Sequence, residues 1–571
     1  MEVDRNLKSQ IIQSPQKRQW NETRLGENFG GQKKKKIKKI KKANGKDDVL
    51  MHDIIALLRA QKLGENTKSG SQNAHEDTPA SLAQVSLPEP FTEIEIEVKE
   101  ISSTGDGLAL HPDSGHVYVV PFSVPGDIIR VKVIKHYVDE KYSTADIVSI
   151  VKKGPLRDDS LINCKYFTIC SGCQFQMLDY NTQLALKRKV IEKAYKNFSQ
   201  LPDHMLHDVG ETIGSPLQYG YRTKLTPHFD APKGYISKAD KLKGVRNHFK
   251  EIPKIGFNAK GGNYTLDIED CPIGTDAIRM GMKKQRLRVA EELGKYTKGA
   301  TILLRESTQR LPNNEANLTS TIPDTVKTIS PHYIDFKSCV TDNKAITTEY
   351  IDDFVFTNIA NEFFQNNNSI LPRFTQYIRD NILSPVTAQG EIKNLIDAYS
   401  GSGLFTITLS SLFENSVGID ISTSSINCAK ENARGNNLAP SKAKFIAADA
   451  SMLFKEVTFN PDETVVVLDP SRKGCDESFI HQLLDFGPRR IVYVSCNVHT
   501  QARDVGKIIN GLEDEKDKET KLGGKYEIES LRGFDFFPQT SHVESIAILN
   551  RVPNQSTGTD SETRVVNMVE A

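Results

Sequence analysis

"NLIDAYSGSGLFTITLSSLF", residues 394–413, sets a buried apolar run against a glycine turn and then opens a second apolar run. A strand that ends in Gly-x-Gly and feeds a helix lets the backbone approach a ligand at the carboxyl edge of a sheet. The same alternation continues downstream through "SVGIDIS" (416–422), "SINCAKENARGNN" (425–437), "AKFIAADA" (443–450), "TVVVLDP" (464–470) and "RRIVYVSC" (489–496). Buried strands alternating with helices predict a doubly wound α/β sheet. The end of the region differs: "KYEIESLRGFDFF" (525–537) and "HVESIAILNR" (542–551) read as two strands joined by a turn.

A dinucleotide fingerprint would require Gly-x-Gly-x-x-Gly, but Thr406 stands at the third glycine position, which disfavours pyrophosphate packing. Asp420 ends the next strand, where a carboxylate can accept hydrogen bonds from both hydroxyls of a ribose. That pair of features is shared by NAD and S-adenosylmethionine enzymes. A parallel sheet finished by an antiparallel hairpin, together with "LDPSRKG" (468–474), favours S-adenosylmethionine and a class I methyltransferase layout. The plainer role for Asp420, a charge at a helix N-terminus, is weakened because Ser422 can serve as the cap.

Working outward, residues 1–90 are polar, poor in aromatics and carry "KKKKIKKIKK" (33–42), so they are expected to form a mostly disordered basic arm in which "DIIALLRAQKL" (53–63) supplies a short helix. The lysine run reads equally as a solvated tail or as a nuclear-localisation or RNA-backbone patch. Residues 91–153 switch to short strands with turn punctuation, which predicts a small β-barrel. Residues 154–346 form a β-rich, cysteine-bearing central domain, 347–553 the α/β domain and 554–571 a disordered tail. Lysine plus arginine (74) nearly cancels aspartate plus glutamate (73), so nucleic-acid binding would have to come from local patches. No apolar run approaches the roughly 18 to 20 residues of a membrane span. The acidic opening MEVDRNLKSQ argues against secretion, and eight cysteines in 571 residues suit a reducing, intracellular setting. Nucleus, cytoplasm and mitochondrion are not distinguished.

"IVYVSCNVHT" (491–500) then places Cys496 directly after a buried strand. With Asp469 in "VVVLDPSRKG", Gln365 in "NEFFQNNN" and Glu544 in "SHVESIAIL", the chain resembles the RNA uracil-5 methyltransferases, most of all the fungal tRNA uracil-54 branch, over residues 91–551. The barrel, with V-x-V-P-F, P-G-D and R-V-K-V segments, resembles the TRAM domain, an RNA-binding module; a generic barrel without that role is the alternative. The resemblance implies that Cys496 is a nucleophile toward uracil C6 and Glu544 the base that removes the C5 proton. It makes Gln365, Tyr399, Asp420 and Asp469 cofactor-binding positions, S-adenosylmethionine the cofactor and tRNA the partner, with no obligate protein partner evident. A bare strand-end cysteine would more often be a buried filler. Two positions depart from the family, Val498 and Ser471, where many members carry proline.

Cys164, Cys170 and Cys173, with the distant Cys271, match a four-cysteine set that binds a [4Fe–4S] cluster in some bacterial members. Iron–sulfur, tetrahedral zinc and free thiols all remain open for it. Cys339, Cys428 and Cys475 have no patterned partners. Two rivals stand beside tRNA methylation: methylation of ribosomal RNA, and an RNA-binding or chaperone protein on a decayed methyltransferase fold. Cytosine-5 methylation is disfavoured because "VLDPS" lacks a first motif cysteine.

Overall fold

The computed structural model describes residues 45–68, 87–111, 115–234, 242–383, 391–448, 454, 457–513, 521–522 and 526–552. The lysine run and the expected tail lie outside these residues. The amphipathic piece near residue 53 belongs to a longer helix, α1 (Gly45–Lys68). It lays Ile54 and the flanks of Leu50, Met51, Leu57 and Leu58 on Leu108, Leu110, Val117, Val119 and Tyr142 of the barrel.

Five strands close that barrel: β1 (Glu93–Ile101), β2 (Gly107–Leu110), β3 (Val117–Val120), β4 (Ile128–Tyr137) and β5 (Tyr142–Lys152), in the order β1-β2-β3-β5-β4. Closure follows from strict alternation. Ile96, Val98, Ile129, Val131 and Val133 point inward while charged neighbours point out, and a closed sheet leaves no open edge. The next described elements are the cysteine loop, helix α2 (Tyr180–Phe198), capped by the Asp179 side chain, and the short strand β6 (Val209–Ile213). A four-stranded sheet and the helix Asp276–Glu291 make up much of the central region.

The largest sheet has eight strands. β7 (Asn394–Ala398), β8 (Asn415–Asp420), β9 (Ala443–Ala447), β10 (Thr464–Leu468) and β11 (Arg490–Ser495) run parallel; β12 (Tyr526–Phe534) and β13 (Glu544–Arg551) complete it in the order β9-β8-β7-β10-β11-β13-β12-β6. β13 lies antiparallel between β11 and β12, pairing Ser495 with Ser545. Apolar residues fill both faces of the parallel strands, the pattern of a sheet covered by helices on each side. Those helices include α3 (Leu404–Leu409), α4 (Thr423–Gly435), α5 (Glu477–Phe486) and α6 (Val498–Asn510). One feature escapes the sequence reading. α2 and β6, inside the stretch assigned to the central domain, join the α/β core: Val190, Ile191, Ala194 and Tyr195 pack with β10 and α6 residues, and β6 extends the sheet alongside β12. No helix among the described residues is long and apolar enough to cross a membrane.

Candidate active site

The switch point of the sheet lies between β7 and β10, where the order reverses, and ligands bind at the carboxyl ends there. The turn after β7 is built on positive φ angles: Tyr399 at 64°, Gly401 at 52° and Gly403 at 90°. A β-carbon on Gly403 would sit 3.1 Å from Ile407 and Phe445, so glycine keeps α3 against the sheet. At Gly401 there is nothing within 4 Å, leaving that side of the turn open to a ligand. Asp420 braces the turn, one carboxylate oxygen accepting from Gly401 N–H (3.0 Å) and the other from Ser422 N–H (2.7 Å). Ser422 also caps α4, accepting from Ser425 N–H at 3.2 Å, as the sequence predicts.

Beneath the turn Asp397 is fully buried, with one oxygen taking the N–H (2.8 Å) and hydroxyl (2.6 Å) of Thr406 and the other lacking any partner. Thr406, which breaks the dinucleotide fingerprint, is thus the residue that anchors this acid. Burial is the main force pushing Asp397 up to about 7, its Thr406 bonds opposing. Asp469, at the end of β10, is also raised to about 7, by burial and then by the charge of Asp397. Two acids under one turn, short of counter-charge, suit a cationic ligand. Orphaned acceptors at Asp397 and a buried, unpartnered Ser400 hydroxyl fit the polar, positively charged end of S-adenosylmethionine. Tyr399 packs its ring on Phe479 with centroids 5.2 Å apart. Gln365 is buried, on a loop stitched by its neighbours: Asn366 accepts from Arg305 (3.1 Å), and Asn367 donates to Ser215 Oγ (3.1 Å) and to the Phe536 carbonyl (3.2 Å).

Cys496 follows β11, half-buried, and Glu544 opens β13 on the neighbouring strand, 2% exposed. Burial, then the charges of Glu544 and Asp469, push the Cys496 thiol up to about 12; a hydrogen bond and the charge of Arg472 act the other way. Glu544 is held well above the usual carboxylate range by burial and by Asp469, again opposed by Arg472. The structure therefore brings Cys496, Glu544, Asp469 and Arg472 into one electrostatic cluster. Arg472 was not singled out from the sequence, although the two adjacent cations inside "LDPSRKG", Arg472 and Lys473, are its signal. Its loop is gripped by the helix after the nucleophile: Asn497 donates to the Arg472 carbonyl (2.8 Å) and Arg503 to that of Lys473 (2.9 Å). The two departures from the family are accommodated, since Val498 is buried at the start of α6 and the Ser471 carbonyl closes a turn with Gly474 N–H (2.8 Å).

Cys164, Cys170, Cys173 and Cys271 line one cavity of about 350 Å³, which Arg222, Lys224 and Arg472 also border. Arg222 and Lys224 continue into a smaller cleft with the 74% exposed Phe363, a cationic and aromatic wall that the sequence reading missed. The arrangement of these side chains gives the expected metal no support of its own. Among the described residues no group of three or more His, Cys, Asp or Glu side chains is arranged to hold one metal ion, although the four cysteines line a common cavity. Without a metal, burial and the neighbouring cysteines push the Cys173 and Cys271 thiols up to about 12; a bound metal would deprotonate them. Cys475, outside any pattern, is buried against the Tyr493 hydroxyl.

Sheet order, glycine turn and strand-end acid define a class I methyltransferase fold joined to a small barrel. Residues 337–552 match the family described as tRNA (Uracil-5-)-methyltransferase and residues 89–148 the TRAM domain. A tRNA (uracil(54)-C(5))-methyltransferase of Schizosaccharomyces pombe is 43% identical over 467 residues, 81% of this chain and 79% of that protein. One from Saccharomyces cerevisiae is 38% identical over 558 residues, 91% and 84% of the two chains. The chain belongs to the tRNA (uracil-5-)-methyltransferase family. The crystal structure of Pyrococcus abyssi tRNA (uracil-54, C5)-methyltransferase in complex with S-adenosyl-L-homocysteine aligns with a TM-score of 0.52 at 23% identity, over 80% of this chain and all of that one, and shares its fold.

Proposed function

We infer that this protein methylates C5 of uridine in tRNA, at position 54, using S-adenosylmethionine. The observation that carries the reading is the juxtaposition of a strand-end thiol, Cys496, and a buried carboxyl, Glu544, on adjacent strands of the sheet. Position 54 is the target named for the two fungal relatives. Asp420, Tyr399, Gln365 and Asp469 would hold the cofactor, which when bound supplies the electrophilic methyl group.

Uracil C5 is a weak nucleophile until C6 is attacked. The Cys496 thiolate adds at C6, pushing electrons through the ring to an enolate whose C5 is then methylated. Arg472 favours the thiolate, since the buried thiol alone would hold its proton. Glu544 takes the C5 proton, the electrons reform the C5–C6 double bond, and the sulfur departs as thiolate. Glu544 must enter this step ionised, and Arg472 supports that as well. The target base lies in a folded loop, so it must be extracted into the site, with Arg222, Lys224 and the exposed Phe363 placed to grip phosphate and stack a base.

The test separates the two steps. Cys496→Ala should bind tRNA but form neither product nor covalent complex, whereas Glu544→Gln should methylate and then stall, leaving methylated RNA attached through a thioether. An adduct peptide mapped to any other residue would refute the assignment. Nucleoside analysis of cells lacking the protein decides the substrate: loss of 5-methyluridine from ribosomal RNA alone would overturn the tRNA reading. Iron–sulfur remains a second reading for the four-thiol cavity, favoured by four soft donors around one space large enough for more than a single ion.

A further inference from the structure

The barrel touches the catalytic loop directly. Between β1 and β2 the turn Ser102–Asp106 closes on itself, the Ser102 hydroxyl donating to the Asp106 carbonyl (2.8 Å) and Gly105 N–H to the Ser102 carbonyl (2.9 Å). On one side Asp53 of α1, 1% exposed, accepts from Ser103 N–H (2.6 Å) and the Ser103 hydroxyl (3.2 Å), and is itself held by Lys193 of α2 at 3.2 Å. On the other side the Thr104 carbonyl accepts from the Gln174 amide (2.7 Å). The oxygen of that same amide accepts from both the N–H and the hydroxyl of Ser541, each at 3.1 Å. Ser541 stands three residues before Glu544.

The fit allows no slack. Gly105 adopts φ 87°, and a β-carbon there would clash with the Gln174 amide and lie 2.8 Å from Ser541 Cβ. The segment ahead of Glu544 is irregular, with Gln539 at φ 72°, so its path depends on such external ties. Gln174 and Phe175 N–H groups both reach the Gln539 carbonyl, at 2.7 and 3.0 Å. Cys496 follows another strand and leads directly into α6, whose cap Asn497 donates to the Arg472 carbonyl.

We propose that Gln174, registered by the Asp53-anchored barrel turn, is a positioning residue for Glu544, coupling the barrel's hold on RNA to removal of the C5 proton. The inference rests on the reading of Glu544 as the base. Its signature is selective: releasing Gln174 slows elimination and spares thiol addition.

The measurement uses the full chain, with labelled tRNA carrying either uridine or 5-fluorouridine, resolved on denaturing gels. Gln174→Ala should trap 5-fluorouridine tRNA within about twofold of the wild-type rate, yet release methylated product at least about tenfold more slowly and accumulate adduct with ordinary tRNA. Asp53→Ala should do the same to a lesser degree. Turnover and trapping falling in parallel in both variants would overturn the proposal, as would unchanged turnover in Gln174→Ala. If neither wild type with 5-fluorouridine tRNA nor Glu544→Gln forms any adduct, the covalent reading itself fails and this inference with it.

Discussion

Replacing Asp397 with asparagine should stabilise the ligand-free protein and weaken its hold on the cofactor at once. Burial raises this acid from 3.8 to about 7 in the folded chain. At about 1.36 kcal/mol per pH unit, the folded state is destabilised by about 4 kcal/mol once the solution passes neutrality. The sign follows from proton counting: between the unfolded and folded values the native state binds the extra proton, so stability falls as pH rises from about 4 through about 7. Asparagine keeps an oxygen for the Thr406 N–H and hydroxyl but sets an amide where the second oxygen has no partner, which returns about 1–3 kcal/mol of the gain. The net expectation is about 1–3 kcal/mol of added stability at pH 8, shrinking as the pH falls and turning into a loss of about 1–3 kcal/mol near pH 4, where only the unpartnered amide counts. Urea titrations at several pH values, followed by the α/β domain's transition, measure it. Calorimetry should show weaker S-adenosylmethionine binding, because the cofactor's positive charge loses a buried counter-charge. A stability difference independent of pH, or undiminished cofactor affinity, would refute the electrostatic account of the turn.

Asp420→Ala removes the grip on the Gly401 N–H of the glycine turn, the bond from Ser422 N–H and the acceptor for the ribose hydroxyls. Cofactor affinity should fall by about 1.5–3 kcal/mol, the scale for hydrogen bonds to a charged group, and equal calorimetric constants would take Asp420 out of the site. For the four-thiol cavity, anaerobically purified protein should be brown, with iron at about four per chain, and Cys271→Ser should lose it. Metal analysis finding only zinc, or none, would leave the methyl-transfer reading untouched and remove the cluster.

Much of this was legible locally. Strand, glycine turn and acid follow each other within residues 394–420, and their partners lie in neighbouring segments, so pattern and geometry agree. The barrel is legible for the same reason, through alternation and turn residues. β6 was not, because "VGETI" (209–213) gains its meaning only from β12, over three hundred residues away. Asp397 was in plain view, yet its role depends on being sealed beneath Thr406, and burial is a property of the fold rather than of a spacing. Gln174 carries no motif at all. Its partners, Thr104 and Ser541, come from two other domains of the chain.

The site holds more negative charge than its positive charge balances. Asp397, Asp469 and Glu544 are all raised by burial, and Arg472 is the cation that opposes this at both Cys496 and Glu544. In that setting ionisation of the Cys496 thiol and of the Glu544 carboxyl is disfavoured. A cofactor bearing positive charge, held near these groups, would lower the cost of ionising them, which is an expectation that Cys496 reactivity can test. The rate of Cys496 alkylation by a small neutral reagent at pH 7.5 should therefore rise when a cationic cofactor analogue such as sinefungin is bound and respond less to neutral-sulfur S-adenosylhomocysteine. Equal enhancement by the two would show that the cofactor's charge is not what activates the thiol, and protection by both that the cofactor covers it; either result refutes the expectation.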